Sequence, residues 1–187
     1  MDKLACERVF EELNKLLPHA TAKTLLRFAP ILTWVLPELA ATVGFEQCSP
    51  YHLYDVYTHT AQVTEAVPTD PVLRWAAILH DVGKVPTFTL DEQGRGHFYG
   101  HGEKSAEMAD QALLRLKAPT QLRLQVGKLI KLHMTDWEPD KKFLRRRLSR
   151  LGPEMTDKLL TLQEADQAGK GLPVQRELFV QIRKLLE

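Results

Sequence analysis

The chain has 187 residues, 44% of them hydrophobic, enough apolar material for one core, so a single domain is the default expectation. Twenty-five Lys and Arg stand against twenty-four Asp and Glu, a formal charge of +1, so no whole-molecule field selects nucleic acid, membrane or acidic ligands, and any such preference is local. Cys6 and Cys48 are too few for a disulfide framework, MDKLACERVFEELNKLL lacks the apolar run of a signal peptide, and nothing approaches the roughly 18 apolar residues of a spanning helix; a cytoplasmic protein without a membrane partner is expected.

Residues 3–17 place Ala5, Val9, Leu13 and Leu16 or Leu17 on one face, the spacing of an amphipathic helix. A second helix is predicted from Thr21 to Phe28. A third runs from Ile31 to Val43 after Pro30, with Pro37 kinking or splitting it and Gly44 ending it. Leu53, Val56, Tyr57, Thr60 and Val63 predict a helix over 52–67, closed by Pro68. Asp70-Pro71 is an N-cap followed by a first-turn proline, so a short, deeply buried helix follows through VLRWAAILH. Residues 82–100, with four glycines and a proline, are expected to form a long loop holding a small hairpin around DEQGRG. Helices then resume over 101–116, 120–133, 140–151, 154–168 and 174–187, with Pro119, Pro139, Pro153 and Pro173 at the boundaries. The expectation is an all-α bundle of about eight to ten helices.

Several of these helices carry one ionisable residue on the apolar stripe, where it must be paired, hydrogen-bonded or metal-bound to offset desolvation. His80 follows Leu73, Ala76 and Ala77; His133 follows Leu122, Val126, Leu129 and Ile130; Asp166 follows Met155, Leu159 and Leu162. His101 shares a stripe with Ser105, Met108 and Ala112, and His59 sits beside Val56 and Val63. Taken singly, each reads as well as a core histidine on a backbone carbonyl, or as a carboxylate capping a neighbouring helix. Together, neutral imidazoles and carboxylates without cysteine form the donor set of a divalent transition metal such as Mn, Fe, Co, Ni or Zn, with Mg a further candidate. At the helix end before Val82-Gly83 the backbone can turn, so His80 and Asp81 can meet one ion although adjacent helical residues diverge by about 100°. Lys84, one turn on in HDVGK, brings a positive charge near any anion held there.

His59, HDVGK at 80–84, His101, His133 and Asp166, in that order, resemble the HD-domain superfamily of metal-dependent phosphohydrolases. PELAATVGFEQCSPYHLYDVYTHT, RWAAILHDVGKVPTFT and GRGHFYGHGEKSAEMADQALLRLKAP are similar to the HD domain carried C-terminally by bacterial CCA-adding tRNA nucleotidyltransferases, and ACERVFEELNKLL resembles the linker helix before it. The similarity covers nearly the whole chain. It implies one compact HD domain: linker-like helices over 1–45, a metal-binding core over 46–170 and a C-terminal helix over 171–187. The nucleotidyltransferase head is absent from the sequence, so HD chemistry rather than CCA addition is expected: hydrolysis of phosphomonoesters, phosphodiesters or 2′,3′-cyclic phosphates. The resemblance implies His59, His80, Asp81 and Asp166 as ligands of a first metal, and His101 and His133 as completing a second.

On that reading the metal activates a water for in-line attack at phosphorus, Asp81 bridges or orients it, and Lys84 neutralises phosphoryl charge. Arg95 and His97 are candidates to clamp a phosphate ester or nucleotide, or to protonate the leaving group, and merely solvated loop residues otherwise. His52, seven residues before His59, is either a partner behind that ligand or a helix-start histidine. Two rivals remain. The run KKFLRRRLSR, from Lys141 to Arg150, marks either an RNA-binding module or a solvated cationic face; a non-catalytic HD domain serving only dimerisation is opposed by the complete ligand set.

Overall fold

Caps and prolines set most helix boundaries in the computed structural model, which describes residues 3–50, 53–171 and 176–186. The helices are α1 (Lys3–Leu16), α2 (Ala22–Arg27), α3 (Ala29–Val35), α4 (Val56–Ala66), α5 (Pro71–Leu79), α6 (Lys84–Thr87), α7 (His101–Arg115), α8 (Thr120–Leu132), α9 (Lys141–Leu151), α10 (Pro153–Gly169) and α11 (Arg176–Leu186). Thr21, Asp55, Asp70 and Asp140 each accept first-turn N–H bonds, of α2, α4, α5 and α9 respectively. The helix expected over 31–43 splits at Pro37, whose missing N–H and fixed φ leave a 3₁₀ segment over Pro37–Thr42. Helix α4 starts at Val56 rather than at 52, because the Asp55 carboxylate takes the N–H groups of Tyr57 and Thr58. His52 lies outside the described residues.

The 82–100 stretch is more ordered than expected. Thr87 Oγ1 donates to the Gly83 carbonyl at 2.8 Å within a single helical turn, α6, which is the element beyond the ten predicted. The hairpin pairs β1 (Thr89–Leu90) with β2 (Gly96–His97), antiparallel, Thr89 opposite His97. It is pinned from outside: Gly96 N–H donates to the Cys48 carbonyl at 2.9 Å, and Phe88 packs edge-on to Phe45 and against Phe98.

Among the described residues these two short strands make the only sheet, so the architecture is all-α. Helices α4, α5, α7, α8 and α10 pack on one another, with α5 in the middle and all of its residues from Val72 to Leu79 buried. Trp75 is fully buried, stacks on Phe10 of α1 and donates its indole N–H to Asn14 at 3.1 Å. Arg74 donates to the carbonyls of Pro68, Leu17 and Ala20, which ties α5 to the N-terminal helices. The apolar cluster runs from Leu13 to Ile182. Each fully buried leucine in it contributes about 2–5 kcal/mol as judged by truncation to alanine. Among the described residues no helix is long and apolar enough to cross a membrane.

Candidate metal centre

Five helices or helix ends each deliver a side chain to one point in this core: His59 from α4, His80 and Asp81 from the end of α5, His101 from the start of α7, His133 from the end of α8 and Asp166 from α10. All six are buried. Asp81 lies between two groups and turns one oxygen to each. Its Oδ2 is 3.3 Å from His59 Nε2 and 3.2 Å from His80 Nε2, and Asp166 Oδ1 is 2.9 and 3.6 Å from the same two nitrogens. Its Oδ1 is 3.4 Å from His101 Nε2 and 3.7 Å from His133 Nε2.

Close packing of helices makes this convergence possible. A Cβ on Gly83 would come within 2.5 Å of Ser105 N and 2.7 Å of the His101 carbonyl, so only glycine lets the turn after Asp81 press on the first turn of α7. The Gly83 N–H then reaches Ser105 Oγ at 2.8 Å. This corrects the expectation that Gly83 serves the turn's own geometry, since its φ of −79° suits any residue. On the other side, a Cβ on Gly102 would sit 3.3 Å from the Lys131 carbonyl, and that approach sets His101 against His133.

The tautomers follow from the backbone. His80, His101 and His133 place Nδ1 at 2.7, 2.8 and 2.6 Å from the carbonyls of Ala77, Phe98 and Ile130, so Nδ1 carries a proton and donates it. Each Nε2 then turns inward with a lone pair when the ring is neutral. His101 and His133 Nε2 face each other at 3.2 Å, and His59 and His80 Nε2 at 3.3 Å. Neither Asp81 oxygen, both buried, accepts a hydrogen bond of good geometry. Lone pairs and carboxylates facing one another in a buried site repel unless a cation lies between them. Ligands each about 2.1 Å from a common ion stand roughly 3.0–3.4 Å apart, close to the separations observed. The residues therefore fit a metal, and imidazole-rich donors favour a transition ion over Ca²⁺ or Mg²⁺.

Protonation takes the cation's place in the metal-free protein. Burial depresses His80, but the charge of Asp81 and hydrogen bonds from Asp166 and Asp81 outweigh it and push the imidazole up to about 10. His59 is likewise raised against its burial by Asp166 and Asp81. Burial works to raise Asp81 and Asp166, yet neighbouring His80, Lys84 and His59 hold both well below the ordinary carboxylate range. His133 goes the other way, pushed by burial and by the His80 charge down to about 4, and His101 is lowered mainly by burial.

Lys84 is buried rather than in a solvated loop. Its Nζ lies 2.7 Å from Asp81 Oδ2 and donates to Gln47 Oε1 at 2.8 Å, above the Phe98 ring. His97 lines a cavity of about 260 Å³ that also exposes Asp81, Lys84, His101, His133 and Asp166. Arg95 does not join it: the residue sits in the exposed hairpin turn, where its backbone N–H bonds Asp91 at 2.8 Å. Three further residues escaped the sequence reading. Lys170 lines the same cavity with Nζ 3.4 Å from Asp166 Oδ2, a partner signalled only by i,i+4 spacing. Gln163 donates to the carbonyls of His133 and Thr135 and fixes the end of α8. Gln47, in a segment without periodicity, left no signal.

The comparisons with known proteins agree with this centre. The family described as HD domain matches residues 51–168. An A-adding tRNA nucleotidyltransferase of Deinococcus radiodurans is 38% identical over 93% of the chain and 42% of its own length. A CC-adding tRNA nucleotidyltransferase of Thermus thermophilus is 38% identical over 94% of the chain and 42% of its own, and a multifunctional CCA protein of an Azoarcus species is 35% identical over 66% and 31%. The chain thus spans less than half the length of these relatives. With its ordered histidines and aspartates converging on one buried point and the family match over more than half of its residues, the chain belongs to the HD-domain family, most of whose members are metal-dependent hydrolases.

Proposed function

We propose that the chain is a metal-dependent phosphohydrolase that cleaves phosphodiesters, 2′,3′-cyclic phosphates and nucleotides among them, with phosphomonoesters as secondary substrates. The observation that carries this is the Asp81 carboxylate shared between two histidine groups: His59, His80 and Asp166 would hold one ion with it, and His101 and His133 a second. A bound divalent ion supplies Lewis acidity and brings the pKa of a water toward neutrality.

The protein's part is to position and to neutralise. Asp81, its Oδ2 held by Lys84 at 2.7 Å, keeps one oxygen toward each group and orients the attacking water. Lys84 and Lys170 set positive charge beside the cavity for the phosphoryl oxygens. His97, stacked on Tyr99 and hydrogen-bonded to Asp91, is the cavity's candidate proton donor to the leaving oxygen. The preference for diesters rests on space. A second cavity, of about 280 Å³, shares His133, Met134, Asp166 and Lys170 with the first, which leaves room on two sides of a phosphorus for two ester arms.

The test is hydrolysis of bis(p-nitrophenyl) phosphate and of uridine 2′,3′-cyclic phosphate. EDTA abolishes both activities, Mn, Co or Ni restores them, and His80→Ala and Asp81→Ala are inactive. Undiminished turnover in EDTA, or by either variant, overturns the assignment.

A further inference from the structure

Helix α9 is built like two unlike halves. Its inner face carries buried Leu144 and part-buried Phe143, Arg147, Leu148 and Leu151; its outer face carries Lys141, Lys142, Arg145, Arg146 and Arg150, all exposed. No Asp or Glu occurs from 141 to 153, and the Asp140 carboxylate is used in capping Phe143 N–H at 2.8 Å. None of the five outer cations forms an ion pair among the described residues. Elsewhere on the surface comparable side chains are paired: Arg123 with Asp110, Arg115 with Glu38, Arg183 with Asp157. Five unneutralised charges on three helical turns repel one another, a standing cost that a polyanion relieves.

The face adjoins the proposed active centre. Arg147 lies over the rings of Trp137 and Phe143 at 5.2 and 5.0 Å and donates to the Asp136 carbonyl. Asp136 and Trp137 form one wall of the cavity of about 280 Å³ whose other wall is His133, Asp166 and Lys170. That volume lies near the lower end of ligand pockets, about 300 Å³, so it takes one nucleoside-sized group while a longer chain must lie outside.

From these two observations we propose that α9 binds single-stranded RNA, its outer cations tracking the phosphates while the cavity beside Trp137 takes the terminal nucleotide to the cluster. This rests on the hydrolase reading above for its second half only. A strand that ends in a 2′,3′-cyclic phosphate needs a ribose 2′-hydroxyl, which makes the polymer RNA. A membrane surface fits less well, because the apolar residues of α9 face inward and leave none beside the cations to insert.

The experiment uses the full chain, the variant Arg145→Gln/Arg146→Gln, and two substrates: uridine 2′,3′-cyclic phosphate and a twelve-nucleotide single-stranded RNA ending in the same group. Both arginines are exposed and without partners, so an unchanged melting temperature is expected and is checked first. The variant should hydrolyse the mononucleotide as the parent does, within about twofold, while its KM for the oligonucleotide rises about tenfold or more. Independently of turnover, fluorescence anisotropy of the labelled RNA with chelated protein should show log Kd rising with log salt by about 0.7 per contacted phosphate, the slope falling by about one to two in the variant. An unchanged oligonucleotide KM together with an unchanged salt slope overturns the RNA face while the hydrolase stands. Salt-dependent RNA binding that the variant loses, without turnover of either ester, keeps the face and removes the hydrolase. Tighter binding to phosphatidylserine vesicles than to RNA, lost in the same variant, assigns α9 to a lipid surface and overturns the proposal.

Discussion

Replacing Gly83 by alanine tests how the turn after Asp81 sets the centre. The added methyl would lie 2.5 Å from Ser105 N and 2.7 Å from the His101 carbonyl, both backbone atoms that cannot rotate away. Ordinary contact begins at 3.4 Å, so the start of α7 must retreat by nearly an ångström. Overpacking of this kind costs about 1–3 kcal/mol, and stretching the buried Gly83 N–H bond to Ser105 adds about 1–3 kcal/mol. At roughly 2–4 °C per kcal/mol for a chain of this size, calorimetry should show Tm falling by about 5–15 °C. His101 moves with α7, so calorimetric metal titration should show weakened binding at the group it shares with His133 and little change at the His59, His80 and Asp166 group. Ser105→Ala removes the acceptor without the clash and should lower Tm by less than half as much. A Gly83→Ala protein that melts within 2 °C of the parent, with both metal affinities intact, would refute the close-approach argument.

Metal affinity should rise with pH, because an ion displaces the protons that Asp81 and Asp166 hold on His59 and His80; titrations at three pH values check this, and affinity that is flat or falls overturns it. In the chelated protein, His80 lies above its ordinary 6.5, so its contribution to stability is complete below pH 6.5 and is lost as pH rises toward about 10. His133, pushed down to about 4, acts oppositely and lowers stability as pH falls from 6.5 toward 4; denaturant midpoints across this range should trace both limbs. Lys84→Met leaves Asp81 Oδ2 without its nearest cation, so metal should bind as tightly or more tightly while turnover falls at least tenfold; loss of metal together with activity would make Lys84 a structural support only.

The ligand histidines were legible because burial is periodic: a titratable residue on an apolar stripe stands out wherever the helix does. The two possible explanations for each proved compatible, since His80, His101 and His133 satisfy Nδ1 on a carbonyl and still turn Nε2 to the cluster. Periodicity is blind to which stripes meet, so the division of Asp81 between two groups emerges only from packing. Lys84 looked exposed because its partners, Gln47 and Phe98, come from irregular segments whose contacts leave no pattern along the chain. Arg95 looked useful because glycines flank it, but the hairpin register turns it away from the cavity that His97 lines.

The most direct test of the shared centre is metal stoichiometry by elemental analysis after chelation, reloading with Mn or Co, and removal of free ion. Two equivalents are predicted for the parent, one for His133→Ala and none for Asp81→Ala, with each variant first shown to be folded by circular dichroism. Loading that is absent from the folded parent, or that is unchanged when Asp81 is replaced, would contradict a centre built around that carboxylate.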